Sequence, residues 1–340
     1  FWIGTKITLS WLWIIIIGRI IGVIMTGLAF YFAIKIIPIG KWIILAIGLI
    51  PTVIVQAATV GADSLQLSAC ILFISYTTKL IYRYKKLGLF DYAILLALGS
   101  ILVLIKIAYA PIIVILLGLP LLRKEYRNRQ TVLPIIVIIL LSIIPAILWT
   151  KFVSYIDINS NPQSNFTAQK SFILSQPITY GRTMFNTYFT NSQTALSNIF
   201  GSFIWDSTPL PAIYSYVCAA AITCSIFVND QREVKFSVLE QRQKIIWKAL
   251  LVFSALSSAI LISTALYIYS TTYRQSSIVG IQSRYFIPIL PLILLCLYGP
   301  KLSSQKTFKR SIFILSCIAI SGAVISVYLR LYQSPVLIIK

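Results

Sequence analysis

The stretch Val55-Gln56-Ala57-Ala58-Thr59-Val60-Gly61-Ala62-Asp63-Ser64-Leu65 sets one carboxylate in a short polar turn between two apolar runs, Trp42 to Val55 and Leu67 to Tyr82. Neither run contains an acidic residue. The pattern predicts two membrane helices folding back on each other, with Asp63 at the turn. A carboxylate near hydrocarbon is costly, so a partner or a chemical role is expected for it. Asp63-Ser64 also suits a helix start, where a carboxylate accepts orphan amide protons and favours the positive end of the dipole. The two readings are compatible.

The rest of the chain repeats this apolar character. Of the 340 residues 58% are hydrophobic and only 11% charged, which excludes an ordinary soluble domain. About ten apolar runs approach the ~17–25 residues that a membrane helix needs. Alternation is too weak for a β-barrel. The fold class expected is therefore an all-α polytopic membrane protein, one membrane domain over residues 1–340 with a large loop at 151–205. The chain opens on Phe1 with no charged leader-like start, so a further N-terminal segment is expected.

The net charge of +21 would suggest nucleic acid in a soluble protein, but here the positions of the cations matter more. Alternating loops put 19 of the 29 Lys and Arg on one side: Lys35 and Lys41, then clusters at 79–86, 123–129, 232–248 and 301–310. By the positive-inside rule that side is cytoplasmic, and Asp63 faces outward. The basic clusters read as topology signals, and no nucleic-acid partner is assigned. The five cysteines lie in apolar segments without CxxC spacing, and there is no histidine, which removes zinc, His-base and Cys-His chemistry from this sequence. No cofactor is assigned; a divalent metal is admitted but not required.

In chain order, the first span, Trp11 to Ala33, carries Arg19 deep among isoleucines, as a snorkelling cation or one facing a polar cavity. Pro51 is expected to kink the second span near its outer end. Asp91 to Ile105 and Ile107 to Leu122 form a hairpin barely long enough to span, so Lys106 in its turn should lie below the outer surface, placed to meet an anionic head group or to snorkel. Lys151 to Trp205 interleaves Asn, Gln, Ser and Thr with Phe166, Phe172, Tyr180, Phe185, Tyr188 and Phe189, a mixture suited equally to sugar recognition and to interfacial packing. Asp206 is the second outward carboxylate of interest and Asp157 a distant third. Val279 to Pro291 sets Arg284 at the mouth of an inward helix, where its planar fork suits a phosphate or anchors Tyr285 at the interface.

Three of these segments together resemble the bacterial membrane-protein family catalogued as domain of unknown function 2142, placed among the GT-C glycosyltransferases. They are Gln56-Ala57-Ala58 with Asp63; Lys106 with Tyr109 and Pro111; and Gly280-Ile281-Gln282-Ser283-Arg284-Tyr285-Phe286 with Pro288. Gly201 with Asp206, Pro209 and Pro211 adds a weaker fourth. The family usually has glycine where this chain has Ser283. GT-C enzymes generally carry their acidic catalytic residue in the first outward loop, which would precede Phe1, so Asp63 is either the base or its support.

The resemblance implies a GT-C-like transferase of the bacterial cytoplasmic membrane with its site facing outward. It would take a sugar from a polyprenyl-phosphate donor and pass it to a cell-envelope glycan. Asp63, then Asp206, are the candidate bases; Gln56, Lys106, Tyr109, Gln282, Arg284, Tyr285 and Arg19 are the candidate substrate-binding residues. The chemistry is consistent with the residues themselves, since fixed cations stabilise a departing phosphate and a carboxylate can deprotonate a hydroxyl. A carrier or flippase for a lipid-linked sugar would want the same cationic cavity and amide-rich loops, and is the alternative. A non-catalytic membrane scaffold fits less well, given three cations at or within the membrane.

Overall fold

The computed structural model describes residues 10–82, 86–153, 165–190, 199–200, 202–203, 208–228, 239–299 and 305–333. Helix α1 (Trp11–Ile36) buries Ile14 near its start and, in its second half, Thr26, Ala29, Phe30 and Ala33 as a stripe at helical spacing, and leaves most of its remaining apolar side chains exposed. In a bilayer that surface meets lipid, which is why it is apolar all round and yet packed along one seam. The second expected span is two helices: α2 (Lys41–Gly48) ends at Leu49, and Pro51 opens α3 (Pro51–Ala57) as its first residue. Proline is pre-organised for a helix start and lacks the amide that an interior position needs, so a break replaces the expected kink.

Helix α4 (Ala62–Tyr82) is buried on nearly every face and packs against α1, α3 and the segments that follow. Two of its hydroxyls bond back to the helix, Ser68 donating to the carbonyl of Ser64 at 2.8 Å and Thr78 to that of Ile74 at 2.7 Å, whereas the buried hydroxyls of Ser75 and Thr77 have no hydrogen-bond partner among the described residues. At its far end Arg123 donates to the carbonyls of Ile81, at 2.7 Å, and Tyr82, satisfying acceptors that the helix cannot bond internally.

Helix α5 (Leu89–Ile105) is 17 residues long, roughly 25 Å, and is less than a full hydrocarbon thickness. The chain then returns from Lys106 as an eleven-residue 3-10 helix, Ile107–Leu117, running into the short α6 (Gly118–Leu122). At ~2.0 Å per residue the 3-10 limb covers roughly 22 Å, several ångströms more than the same residues would as α-helix. The next span is also interrupted, α7 (Arg129–Leu141) and α8 (Ile144–Phe152) meeting at Ser142 with Pro145 in the first turn of α8.

The long loop contains two helices, α9 (Phe166–Ser175) and α10 (Pro177–Thr190), and after it a two-residue antiparallel pair joins Ser202–Phe203 to Thr208–Pro209. Helices α11 (Ala212–Ile226) and α12 (Gln241–Ser270) follow, then a second 3-10 segment, Ser283–Ile289, leading into α13 (Leu290–Leu297), and finally α14 (Gln305–Gln333). Among the described residues five helices, counting α7 and α8 as one, are long and apolar enough to cross a membrane, and four more are shorter and apolar. With the broken pair α2 and α3, these correspond to the apolar runs of the sequence. The protein is an all-α membrane protein.

Helices α9 and α10 dock on the last turns of α12. The Gln169 side chain, fully buried, donates to the carbonyls of Tyr267, Thr271 and Thr272 and accepts the Arg274 amide at 3.2 Å. It thereby caps the C-terminal carbonyls of α12 from a distant part of the chain. Tyr180 bonds Thr264 at 2.8 Å, Tyr188 bonds Ser263 at 2.5 Å, and Thr187 accepts the Ile278 amide. Phe172 and Tyr180 pack on the Tyr267 ring, so these aromatics serve packing, while Phe185 and Phe189 stack on each other and stay exposed.

Replacing Gln169 with Ala should cost about 1–3 kcal/mol, the usual consequence of stranding buried backbone groups. Gln169→Glu should be at least as damaging, because it keeps the acceptor for Arg274 and removes the donor to three carbonyls. Thermal unfolding in detergent and hydrogen exchange over 267–274 would check this; unchanged exchange in both variants would contradict the capping role.

Candidate functional site

Helix α4 begins at Ala62, so Asp63 sits inside its first turn and not at the cap. The position still favours a negative charge, because the helix dipole is positive there. The carboxylate is shared between two cations that come from far along the chain. Lys106 Nζ donates to Asp63 Oδ1 at 2.5 Å, and Arg284 Nε stands 3.6 Å from Asp63 Oδ2. The three side chains are between a fifth and a third exposed, so the cluster is partly buried but open to a ligand.

Backbone geometry brings the cations in. Lys106 is extended, with φ −149° and ψ 109°, exactly between the end of α5 and the start of the 3-10 limb, and so projects from the hairpin turn. Arg284 is the second residue of the Ser283–Ile289 segment, which packs against α4. Gly280, four residues earlier, has φ +83°, a conformation that glycine takes without strain and that turns the chain into this segment. Tyr285 lies between the cations: Lys106 Nζ is 4.5 Å and Arg284 Cζ 5.7 Å from its ring centroid, within the range where the ring face attracts a cation. Buried Tyr109, from the 3-10 limb, donates to the Tyr285 carbonyl at 2.8 Å and ties the hairpin to the late segment.

The turn that precedes Asp63 packs against the first half of α1. Helix α1 passes the Ala57–Thr59 turn at Gly22, where an added Cβ would lie 2.6 Å from the Ala57 carbonyl oxygen. Gly22 is eleven residues into the helix, roughly 16 Å along it. The turn before Asp63 therefore packs along the side of α1, with Val60 against Gly18.

Five of the residues proposed from sequence, Asp63, Lys106, Tyr109, Arg284 and Tyr285, are thus one cluster. Gln56 is buried in the last turn of α3, and its carbonyl accepts the Thr59 hydroxyl at 2.7 Å. Gln282 lies two residues before Arg284, and its buried side-chain oxygen has no hydrogen-bond partner among the described residues. Arg19 is exposed on α1, and among the described residues no carboxylate pairs with it. Asp206 and Asp157 lie outside the described residues. Sequence reading passed over Gln66, which is fully buried one turn below Asp63, donates to the Cys70 sulfur at 3.2 Å and leaves its own oxygen unpaired among the described residues. Its signal was available: a glutamine three residues after the carboxylate shares its helix face.

Locally the cluster carries one negative and two positive charges, a surplus of one cation in a partly desolvated place. It can hold an anion with geometry from the Arg284 fork and charge from Lys106, beside a carboxylate able to take a proton. No three His, Cys, Asp or Glu side chains gather as a metal site among the described residues.

No curated protein and no solved structure matches the chain. The family model described as "Predicted membrane protein (DUF2142)" matches residues 1–293, which includes every residue of the cluster. The chain belongs to this family of predicted membrane proteins.

Proposed function

We propose that the protein is a membrane glycosyltransferase that moves a sugar from a polyprenyl-phosphate donor to a cell-envelope glycan at the extracytoplasmic face of the bacterial cytoplasmic membrane. The observation that carries this reading is partly exposed Asp63 held between Lys106 and Arg284. A lipid phosphate brings the charge that such a surplus of cations attracts, and its chain is at home among the apolar helices around the cluster. The GT-C character comes from the resemblance noted in the sequence and adds to this.

In the reaction, donor phosphate competes with Asp63 for Lys106 and Arg284. Each phosphate contact replaces one to the carboxylate, so donor binding uncages Asp63 as it fills the site. The acceptor hydroxyl then gives its proton to Asp63 and its oxygen bonds the anomeric carbon. The bond from that carbon to the phosphate oxygen breaks with its electron pair, leaving polyprenyl phosphate. The negative charge gained by the phosphate develops against Lys106 and Arg284, where stabilisation is stronger in the transition state than in the bound donor. Tyr109, through the Tyr285 carbonyl, holds the two cation-bearing segments in register. The unpaired oxygens of Gln282 and Gln66 are acceptors for hydroxyl groups of the sugar or for ordered water.

The test is turnover of polyprenyl-phosphate sugars, labelled in the sugar, by the full-length purified protein. Wild type should release polyprenyl phosphate and place label on a glycan. Arg284→Ala should lower the rate by roughly 10²–10³-fold, and Arg284→Lys by less, since it keeps charge and loses only the fork. Asp63→Asn should cost roughly 10²–10⁴-fold if Asp63 is the base; full activity in that variant would move the base to another carboxylate. Label that crosses a vesicle membrane with its sugar bond intact, and no turnover with any donor, would overturn the transferase in favour of a flippase.

Retention of donor should separate from chemistry in these variants. Asp63→Asn removes the competitor for the two cations, so it should bind polyprenyl phosphate as tightly as wild type or more tightly while turning over slowly. Weaker binding in Asp63→Asn would contradict the uncaging step.

A further inference from the structure

Two residues beyond Arg284, the same 3-10 segment contributes Phe286 to a groove of about 520 Å³ between α12 and α13. The α12 wall is formed by Val252, Leu256 and Ala259, positions that share one face of the helix, and Ile293 stands opposite on α13. Tyr188 closes the upper end, with its ring 6.0 Å from that of Phe286. Its hydroxyl is already engaged by Ser263, so the lining offers a ligand almost nothing but carbon. The wall from Val252 to Ala259 runs roughly 10 Å along α12.

Taking the transferase reading as its basis, we infer that this groove seats the isoprenoid chain of the donor, with the phosphate on Arg284 and Lys106. Two features of the structure favour this occupant. The cationic cluster and the groove are consecutive on one backbone segment, Arg284 against Asp63, Tyr285 against the two cations and Phe286 on the groove, so head and tail sites are held at a fixed spacing. The charge surplus at one end and the carbon lining at the other match a lipid whose phosphate is joined directly to a single chain. A glycerolipid would interpose its glycerol and bring a second chain to a furrow bounded by two helices. Burial of chain carbon in the groove contributes affinity in proportion to the apolar area covered.

The experiment uses the full-length protein in nanodiscs and a polyprenyl phosphate bearing a photoreactive group partway along its chain, beside a short water-soluble isoprenyl phosphate. Cross-links should fall on residues 252–259 and 289–293. Ala259→Trp, which fills the groove, should weaken binding of the long-chain phosphate by about tenfold or more and leave the short one bound as in wild type. Retained short-chain binding also reports that the variant is folded; if Ala259→Trp loses both, Val252→Trp, on the more exposed part of the wall, gives the decisive comparison. Long-chain binding that depends on Arg284 but ignores both tryptophans, with cross-links elsewhere, would overturn the groove assignment and leave the donor reading standing. Equal displacement of the probe by phosphatidylglycerol would overturn it as well, by making the groove a site for bulk lipid. Binding of neither phosphate to wild type would remove the donor reading and this inference with it.

Discussion

The charge of Asp63, partly buried in the first turn of α4, is the constraint on which the rest depends. An unpaired carboxylate among apolar helices would be disfavoured, and its neutralisation recruits Lys106 and Arg284, 43 and 221 positions further along the chain. To bring them there, the hairpin turn and the late segment must both close against the first turn of α4. Tyr109 and Tyr285 link the hairpin to the late segment by one hydrogen bond and the contact of Lys106 with the Tyr285 ring, which also receives Arg284. Because the pair with Lys106 is partly exposed, its contribution to stability is modest. Its importance lies in fixing which segments meet.

Helix α4 explains how so much polarity is accommodated around that point. Ser68 and Thr78 return their hydrogen bonds to the helix's own carbonyls, Gln66 spends its amide on the Cys70 sulfur, and Arg123 closes the opposite end. A helix with these residues facing lipid would be unfavourable; surrounded by protein it is stable and fixes its neighbours. The exposed, uniformly apolar α1 is the complementary case, with lipid as its partner on most faces.

Much of this was legible in the sequence, because both the bilayer and the charge leave strong marks. The apolar runs follow from the length needed to span, and Asp63, Lys106 and Arg284 stand out as ionisable residues at the ends of such runs. Less was legible where competing geometries cost nearly the same. Pro51 read as a kink within one helix and is instead the start of a new one. The polar and aromatic mixture at 151–205 left sugar recognition and packing open, and only the docking of Gln169, Tyr180 and Tyr188 on α12 shows how much of it is spent on packing. Gln66 was hidden because glutamine carries no charge to draw attention to it.

The 3-10 limb from Ile107 to Leu117 has a consequence for the membrane around the protein. A stretched helix of three residues per turn is near the longest form that a hydrogen-bonded helical chain can take. The hairpin therefore has no slack: a thicker bilayer cannot be met by extending this limb, and α5 beside it is already short. Mismatch must be taken up by the lipid, which thins around the hairpin at a cost of fractions of a kcal/mol per ångström. The protein would then carry its own depression in the bilayer, centred on the turn that bears Lys106, and bring the head groups of surrounding lipids down toward the level of the cations.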